Sequence, residues 1–277
     1  MSYFVPTELG EAIGLMAVRD VNIVAGGTDF YPSRVSGPLP DDILDVTRIS
    51  GLTGITRVGD GIRIGAATRW SDIVHADLPA AFAGLQAAGR EVGSLQIQNA
   101  GTIAGNICNA SPAADGVPPL LTLGAKVELA GPDGTRQMPL ASFIKGPRQT
   151  ALRAAELVTA LHLPLPPSHA RGAFEKLGSR KYLVISITMT AVVIGCDASG
   201  RIDFARVAVG ACSPVALRLT ALEDDLLGQI PDAIVVEPHH LAELAPISDV
   251  RADAAFRMEA VGEQIRRAVC KAADANG

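Results

Sequence analysis

Apolar residues recur at helical spacing from Leu9 to Val18, predicting a helix that starts after Pro6-Thr7 with Thr7 as its cap. The β-branched run Val21 to Ala25 and the Ile62/Ile64 alternation within Gly61 to Gly65 predict short strands. Ser71 to His75 and Pro79 to Val92 read as helices. Lys126 to Leu129 and Arg136 to Leu140 flank Pro132-Asp133-Gly134, whose turn chemistry predicts a hairpin.

The proline-dense stretch from Pro164 to Gly172 cannot continue a helix or a central strand, so it reads as a stiff extended connector and a domain boundary. Beyond it, Ile185 to Ile194 and Ile202 to Gly210 are apolar strand candidates joined by the turn Asp197 to Gly200. Ala216 to Leu227 and Asp253 to Ala273 read as helices. The second has charges on one side and Phe256, Met258, Val261, Ile265 and Val269 for burial. Strands and helices are mixed rather than strictly alternating, an α+β pattern with a larger domain over 1–170 and a smaller sheet-plus-helices domain over 171–277. No repeat of fixed period is present.

Composition narrows the function classes. With 277 residues and 48% hydrophobic content the chain can bury a large core, and with 4% aromatics that core is built from Ala, Val, Ile and Leu. The net charge of -5, from 24 basic and 29 acidic residues, leaves no basic footprint for nucleic acid. No apolar stretch is long enough to span a bilayer, and the first residues lack a secretory pattern, so the expected location is cytoplasmic. Cys108, Cys196, Cys212 and Cys270 are dispersed, whereas iron–sulfur and structural zinc sites need thiolates brought together. Reduced, mostly buried thiols are expected. Cys108 is the one to watch, because it follows a glycine-bearing loop.

Two such loops carry the candidate chemistry. One is Ala25-Gly26-Gly27-Thr28-Asp29, closing the strand at Val24; the other is Thr102-Ile103-Ala104-Gly105-Asn106, followed by Asn109 to Asp115. Glycine lets backbone N–H groups converge on an anion, and Thr and Asn add side-chain donors. Neither loop is a Gly-x-Gly-x-x-Gly or a Gly-Lys-Ser/Thr motif, which argues against a Rossmann dinucleotide site and a P-loop. Taken alone, Gly-Gly-Thr-Asp is also ordinary turn chemistry. Two loops together suggest a diphosphate gripped from both sides.

The surroundings of these loops resemble the medium, FAD-binding subunit of the molybdenum hydroxylases, the group of xanthine dehydrogenase, carbon monoxide dehydrogenase and the aldehyde or N-heterocycle oxidoreductases. The resemblance runs almost end to end. It includes Phe4 to Leu9, Asp45-Val46-Thr47, Ile64 to Thr68, Glu156-Leu157-Val158, Glu175 to Lys181 and Val209-Gly210-Ala211. It departs at Ala104, where a glycine pair is usual, at Gln98, where Arg is common, and at Val184, where Asp is frequent. Ala104 fits only if its φ is negative.

The resemblance implies a two-part PCMH-type FAD-binding domain followed by the smaller C-terminal domain. Ile23, Val24, Ala25, Gly26, Gly27, Thr28, Asp29 and Phe30, with Thr102, Ile103, Ala104, Gly105 and Asn106, would wrap the FAD diphosphate and ribityl. Val92, Val158 and Lys176 fall where relatives contact the flavin or adenosine part, and Asp115 where relatives accept from a cofactor hydroxyl or amine. Asp115 read alone could also cap a helix over Val117 to Leu123, and Lys176 could be a solvated strand lysine. None of His75, His162, His169, His239 and His240 lies in either proposed FAD loop, so FAD is expected to be noncovalent; His239-His240 read as surface residues. Molybdopterin and 2Fe–2S clusters are then expected only in partners, a large and a small subunit, assembled as a dimer of heterotrimers. The implied function is electron transfer from those clusters through FAD to an external acceptor. The alternative is a self-contained PCMH-type flavoprotein oxidoreductase acting directly on a metabolite.

Overall fold

The computed structural model describes residues 2–34 and 40–274. It begins with β1 (Ser2–Phe4), α1 (Leu9–Val18), β2 (Asn22–Val24) and β3 (Asp42–Asp45). These strands form a parallel sheet in the order β1-β3-β2, with α1 as the crossover. The residue that caps α1 is Glu8 rather than Thr7, and no side chain closes that end. Leu44, Val46 and Ile49 pack on Ala12 to make a small core of their own.

The second part starts with β4 (Ile55–Val58) and β5 (Gly61–Gly65), then α2 (Trp70–His75), α3 (Ala83–Glu91), α4 (Leu95–Gln98), α5 (Ile103–Asn109) and α6 (Val117–Thr122). The hairpin of β6 (Lys126–Gly131) and β7 (Gly134–Pro139) turns through Pro132-Asp133, and α7 (Leu140–Phe143), β8 (Ile144–Gly146), β9 (Gln149–Thr150) and β10 (Leu157–Pro164) follow. The sheet is antiparallel in the order β4-β5-β10-β6-β7. Trp70 anchors the helices beside it; a Cβ at Gly116 would sit 2.4 Å from its ring, so glycine is needed there for the indole to be buried. In α6, Pro118 and Pro119 occupy the first turn, where a missing N–H costs nothing.

The remainder is β11 (Arg171–Leu177), β12 (Thr188–Cys196), β13 (Ile202–Gly210), β14 (Leu217–Arg218), α8 (Thr220–Leu226) and α9 (Ala254–Ala273), an antiparallel sheet in chain order with helices. The helix expected from Ala216 is shorter, because Leu217–Arg218 pair with Ala208 and Val209 as a strand. α9 is capped by Asp253, which accepts from Phe256 N–H at 2.7 Å. Val261, Ile265, Ala268 and Val269 form its buried stripe; Phe256, expected inside, is exposed, and Arg257 is buried in its place.

β12 is buried from Thr188 to Gly195 because both of its faces are covered. Val192 and Ile194 meet α9, while Val193 packs into the core of the antiparallel sheet of the first half. The segment between β10 and β11 is correspondingly not an extended spacer: Leu165 N–H donates to Asp60 O, Ala170 N–H to Pro167 O, and Ala170 is buried.

Candidate functional site

A cleft of about 620 Å³ opens where the parallel sheet meets the antiparallel one. Its first wall is the loop leaving β2. Gly27 takes φ +67 there, and a side chain on it would strike the Tyr31 ring. The N–H groups of Gly26, Gly27, Thr28 and Asp29 donate to no protein acceptor among the described residues. This loop therefore presents bare backbone donors to the cleft.

The second wall is the entry to α5. Thr102 caps this helix, its Oγ1 accepting from Gly105 N–H at 3.1 Å. Ile103 N–H donates to Thr68 O, Ala104 N–H to Ala66 O and Asn106 N–H to Thr102 O. The N–H groups expected to converge on an anion are thus already committed here. What this wall offers instead is Asn106 Oδ1, a buried acceptor with no partner among the described residues. Ala104 lies inside α5 and is not among the residues of positive φ, so alanine is accommodated where a glycine was expected. The two walls touch at Gly26, where a Cβ would lie 1.9 Å from Ala100 O.

The structure brings Ile23, Ala25, Gly26, Gly27, Thr28, Asp29, Phe30, Val92, Thr102, Ala104, Gly105, Asn106 and Val158 onto the lining. Val158 is aimed there at a register shift in β10, beside Thr159. Val24 and Ile103 point into the core instead. Asp115 and Lys176 are off the lining as well. Lys176 Nζ contacts Asp115 Oδ2 at 2.7 Å and Glu91 O at 3.4 Å, and Ser186 Oγ donates to Asp115 Oδ1 at 2.6 Å. Burial pushes the Asp115 carboxyl above its ordinary value, against the pull of Lys176 and Ser186. This pair stands behind Val92, joining β11 to the wall rather than facing the cavity.

Further residues line the cleft, of which the sequence reading singles out Cys108 alone. Arg34 lies 3.8 Å over the Phe30 ring and donates to Phe30 O. Arg148 reaches in from the β8–β9 turn and pairs with Asp29 at 2.8 Å. Glu156 is neutralised by a two-pronged contact with Arg136, at 2.7 Å for each bond. Cys108 and Asn109 follow Gly105 at helical spacing, a signal the sequence did carry; nothing in the sequence marked Arg148. Cys108 is half-buried, and burial pushes its thiol up to about 12, so it is neutral near pH 7.

Gly26, Gly27, Gly101 and Gly105 bare the backbone along the lining, the Arg34 guanidinium, in no ion pair among the described residues, supplies positive charge, and an unpaired acceptor awaits a donor. These features fit a phosphate-bearing ligand with hydroxyl groups. Residues 1–166 match the family of the FAD binding domain in molybdopterin dehydrogenase. The chain belongs to this family of flavin subunits. Residues 173–272 match the CO dehydrogenase flavoprotein C-terminal domain. The nicotinate dehydrogenase FAD-subunit of Eubacterium barkeri is 35% identical over 82% of this chain and 79% of its own length. The putative xanthine dehydrogenase FAD-binding subunit of Escherichia coli K12 is 32% identical over 100% and 97%. Among solved structures, reconstituted CO dehydrogenase from Oligotropha carboxidovorans superposes with a TM-score of 0.89 at 28% identity, covering 99% of this chain and 97% of that one. As a member of the family the chain is an oxidoreductase flavin subunit with a two-domain α+β fold.

One cluster lies away from the cleft. Asp225, His239 and His240 bring their ligand atoms within 4.8 Å of one another. His240 is buried, contrary to the surface placement expected for both histidines. Its Nδ1 accepts from Glu237 N–H at 2.9 Å, which leaves the proton on Nε2, hydrogen-bonded to Asp225 Oδ2 at 2.9 Å. That lone pair is not free for a cation.

Proposed function

We propose that this chain is the electron-transfer subunit of a molybdenum hydroxylase assembly, holding FAD noncovalently in the cleft between its two walls. The single observation that carries the reading is the pairing of free N–H groups on Gly26 to Asp29 with the unpartnered Asn106 Oδ1 across one cavity. Bound FAD supplies the redox chemistry, taking electrons from a partner's 2Fe–2S cluster and returning them to an external acceptor.

The chain's own part is binding and orientation. The Gly26–Asp29 amides would take the diphosphate, Asn106 a cofactor hydroxyl or N–H, and Val92 and Val158 apolar surface. Among the described residues no histidine lies on the lining, which supports noncovalent attachment. Asp115 and Lys176 would act on the cofactor only through the wall they brace. The flavin-binding unit is read as 1–170 and the closing unit as 171–277.

The partners are a molybdopterin-binding large subunit and a small 2Fe–2S subunit, in a dimer of heterotrimers. The relatives include carbon monoxide dehydrogenase medium chains, and a medium chain implies larger and smaller companions. No described helix is long and apolar enough to cross a membrane, which is compatible with a cytoplasmic assembly. Co-expression with the large and small subunits tests the reading: the purified complex should contain flavin, iron–sulfur and molybdenum in fixed ratio. Turnover of a substrate by the single chain at the rate of that complex would contradict it and favour a self-contained flavoenzyme.

A further inference from the structure

Arg148 occupies the turn between β8 and β9 with φ +60, a conformation that a non-glycine residue keeps only where its surroundings impose it. Its N–H donates to Ala110 O at 3.0 Å, seating the turn against the end of α5. Its guanidinium bonds Asn109 Oδ1, on α5, and Asp29 Oδ2 at 2.8 Å, on the loop after β2. One side chain therefore joins the two walls of the cleft, and all three residues face the cavity.

The walls also meet at Gly26, but that contact is backbone against backbone and is closed by sterics. The Arg148 bridge is different. Its ion pair is half exposed, with side-chain exposures of 59% and 50%, and pairs of that kind contribute little to folding. A left-handed arginine in a solvent-facing pair is a poor device for stability. Across the opening of a cofactor cleft it is a suitable device for closure, because it breaks and re-forms without disturbing either wall.

We infer that Arg148 is the clasp of this cleft, and that its bridge to Asp29 and Asn109 opens to admit the flavin dinucleotide and re-forms behind it. This rests on the cleft being the FAD site. Arg148 then governs how long FAD stays. A direct phosphate contact by Arg148 makes the opposite prediction for Asp29. As partner in a clasp, Asp29 slows escape; as competitor for the guanidinium, it hastens escape.

The test is FAD release, followed by the rise of free-flavin fluorescence after dilution of the loaded chain. Wild type is compared with Asp29→Asn, Arg148→Gln, Arg148→Gly and the double variant Asp29→Asn/Arg148→Gln. Each single variant should release FAD about twofold to fivefold faster, as expected for loss of one half-exposed ion pair, and the double variant no faster than the faster single. The cofactor-free melting temperature should stay level in Arg148→Gln and stay level or rise in Arg148→Gly, because glycine is at ease at this φ. Arg148→Lys should restore part of the retention. Release at the wild-type rate in both Arg148 variants, or slower release in Asp29→Asn, would overturn the clasp. A wild-type chain that takes up no FAD would overturn the site itself, a distinct result.

Discussion

Lys176 Nζ lies 2.7 Å from Asp115 Oδ2, and the two side chains retain only 8% and 10% of their exposure. The pair joins β11 to the segment before α6, and its lysine also reaches Glu91 O, next to Val92 on the cleft wall. Removing one partner leaves a buried charge uncompensated, at a cost of about 3–5 kcal/mol. Lys176→Met should therefore be strongly destabilising in urea titrations. Adding Asp115→Leu to it should recover most of the loss, since replacing both ions by apolar groups is far less costly.

Gly26→Ala should abolish FAD retention and lower the melting temperature, because the new Cβ would meet Ala100 O at 1.9 Å. Forcing even one methyl into such packing costs about 1–3 kcal/mol or more. Gly105→Ala should be milder, since its Cβ would meet only Thr102 Oγ1, at 2.9 Å. Absorbance of bound flavin and thermal melts of both variants check the ranking.

Asn106→Leu should weaken FAD binding roughly tenfold to a hundredfold without lowering the stability of the cofactor-free chain. Oδ1 is buried without a partner, so the cofactor-free state already carries that cost and gains by losing the group. Calorimetric titration with FAD, alongside melts of the cofactor-free protein, separates the two effects.

Acid stability depends in part on Glu128. Burial opposes its ionisation, but hydrogen bonds from Thr159, His162 and Arg63 outweigh burial and hold its carboxyl at about 2 against an ordinary value of 4.5. A lowered folded-state value means that the contribution is complete above pH 4.5 and is lost as the pH falls toward 2. Glu128→Gln should thus be less stable than wild type near neutrality and show a shallower decline across that window, read by denaturant midpoints at stepped pH.

The fold was legible where local patterning and tertiary packing agree. The β6–β7 hairpin, α1 and α9 stand close to where periodicity puts them. It failed at Leu217–Arg218, because a two-residue edge strand is made by its neighbour β13 and leaves no period in the sequence. Phe256 was placed inside on helical spacing, yet Arg257 takes the buried position, held by Ile187 O, Ala211 O and Asp249. Gln98 and Val184 are absorbed locally: the Gln98 amide donates to Arg90 O at 2.9 Å, and Val184 fills the space over Gly178. At the site, loop identity was readable from glycines and flanking segments. The division of labour between the loops was not. Whether an N–H is free depends on Thr68 O and Ala66 O, acceptors brought from a distant strand end.

The most direct measurement is the flavin content of the purified chain, loaded with FAD, desalted, then precipitated by acid or heat. The account predicts close to one FAD per chain and full release of the yellow colour into the supernatant. A protein that stays colourless after incubation with FAD, or colour that remains with the precipitate, would contradict it.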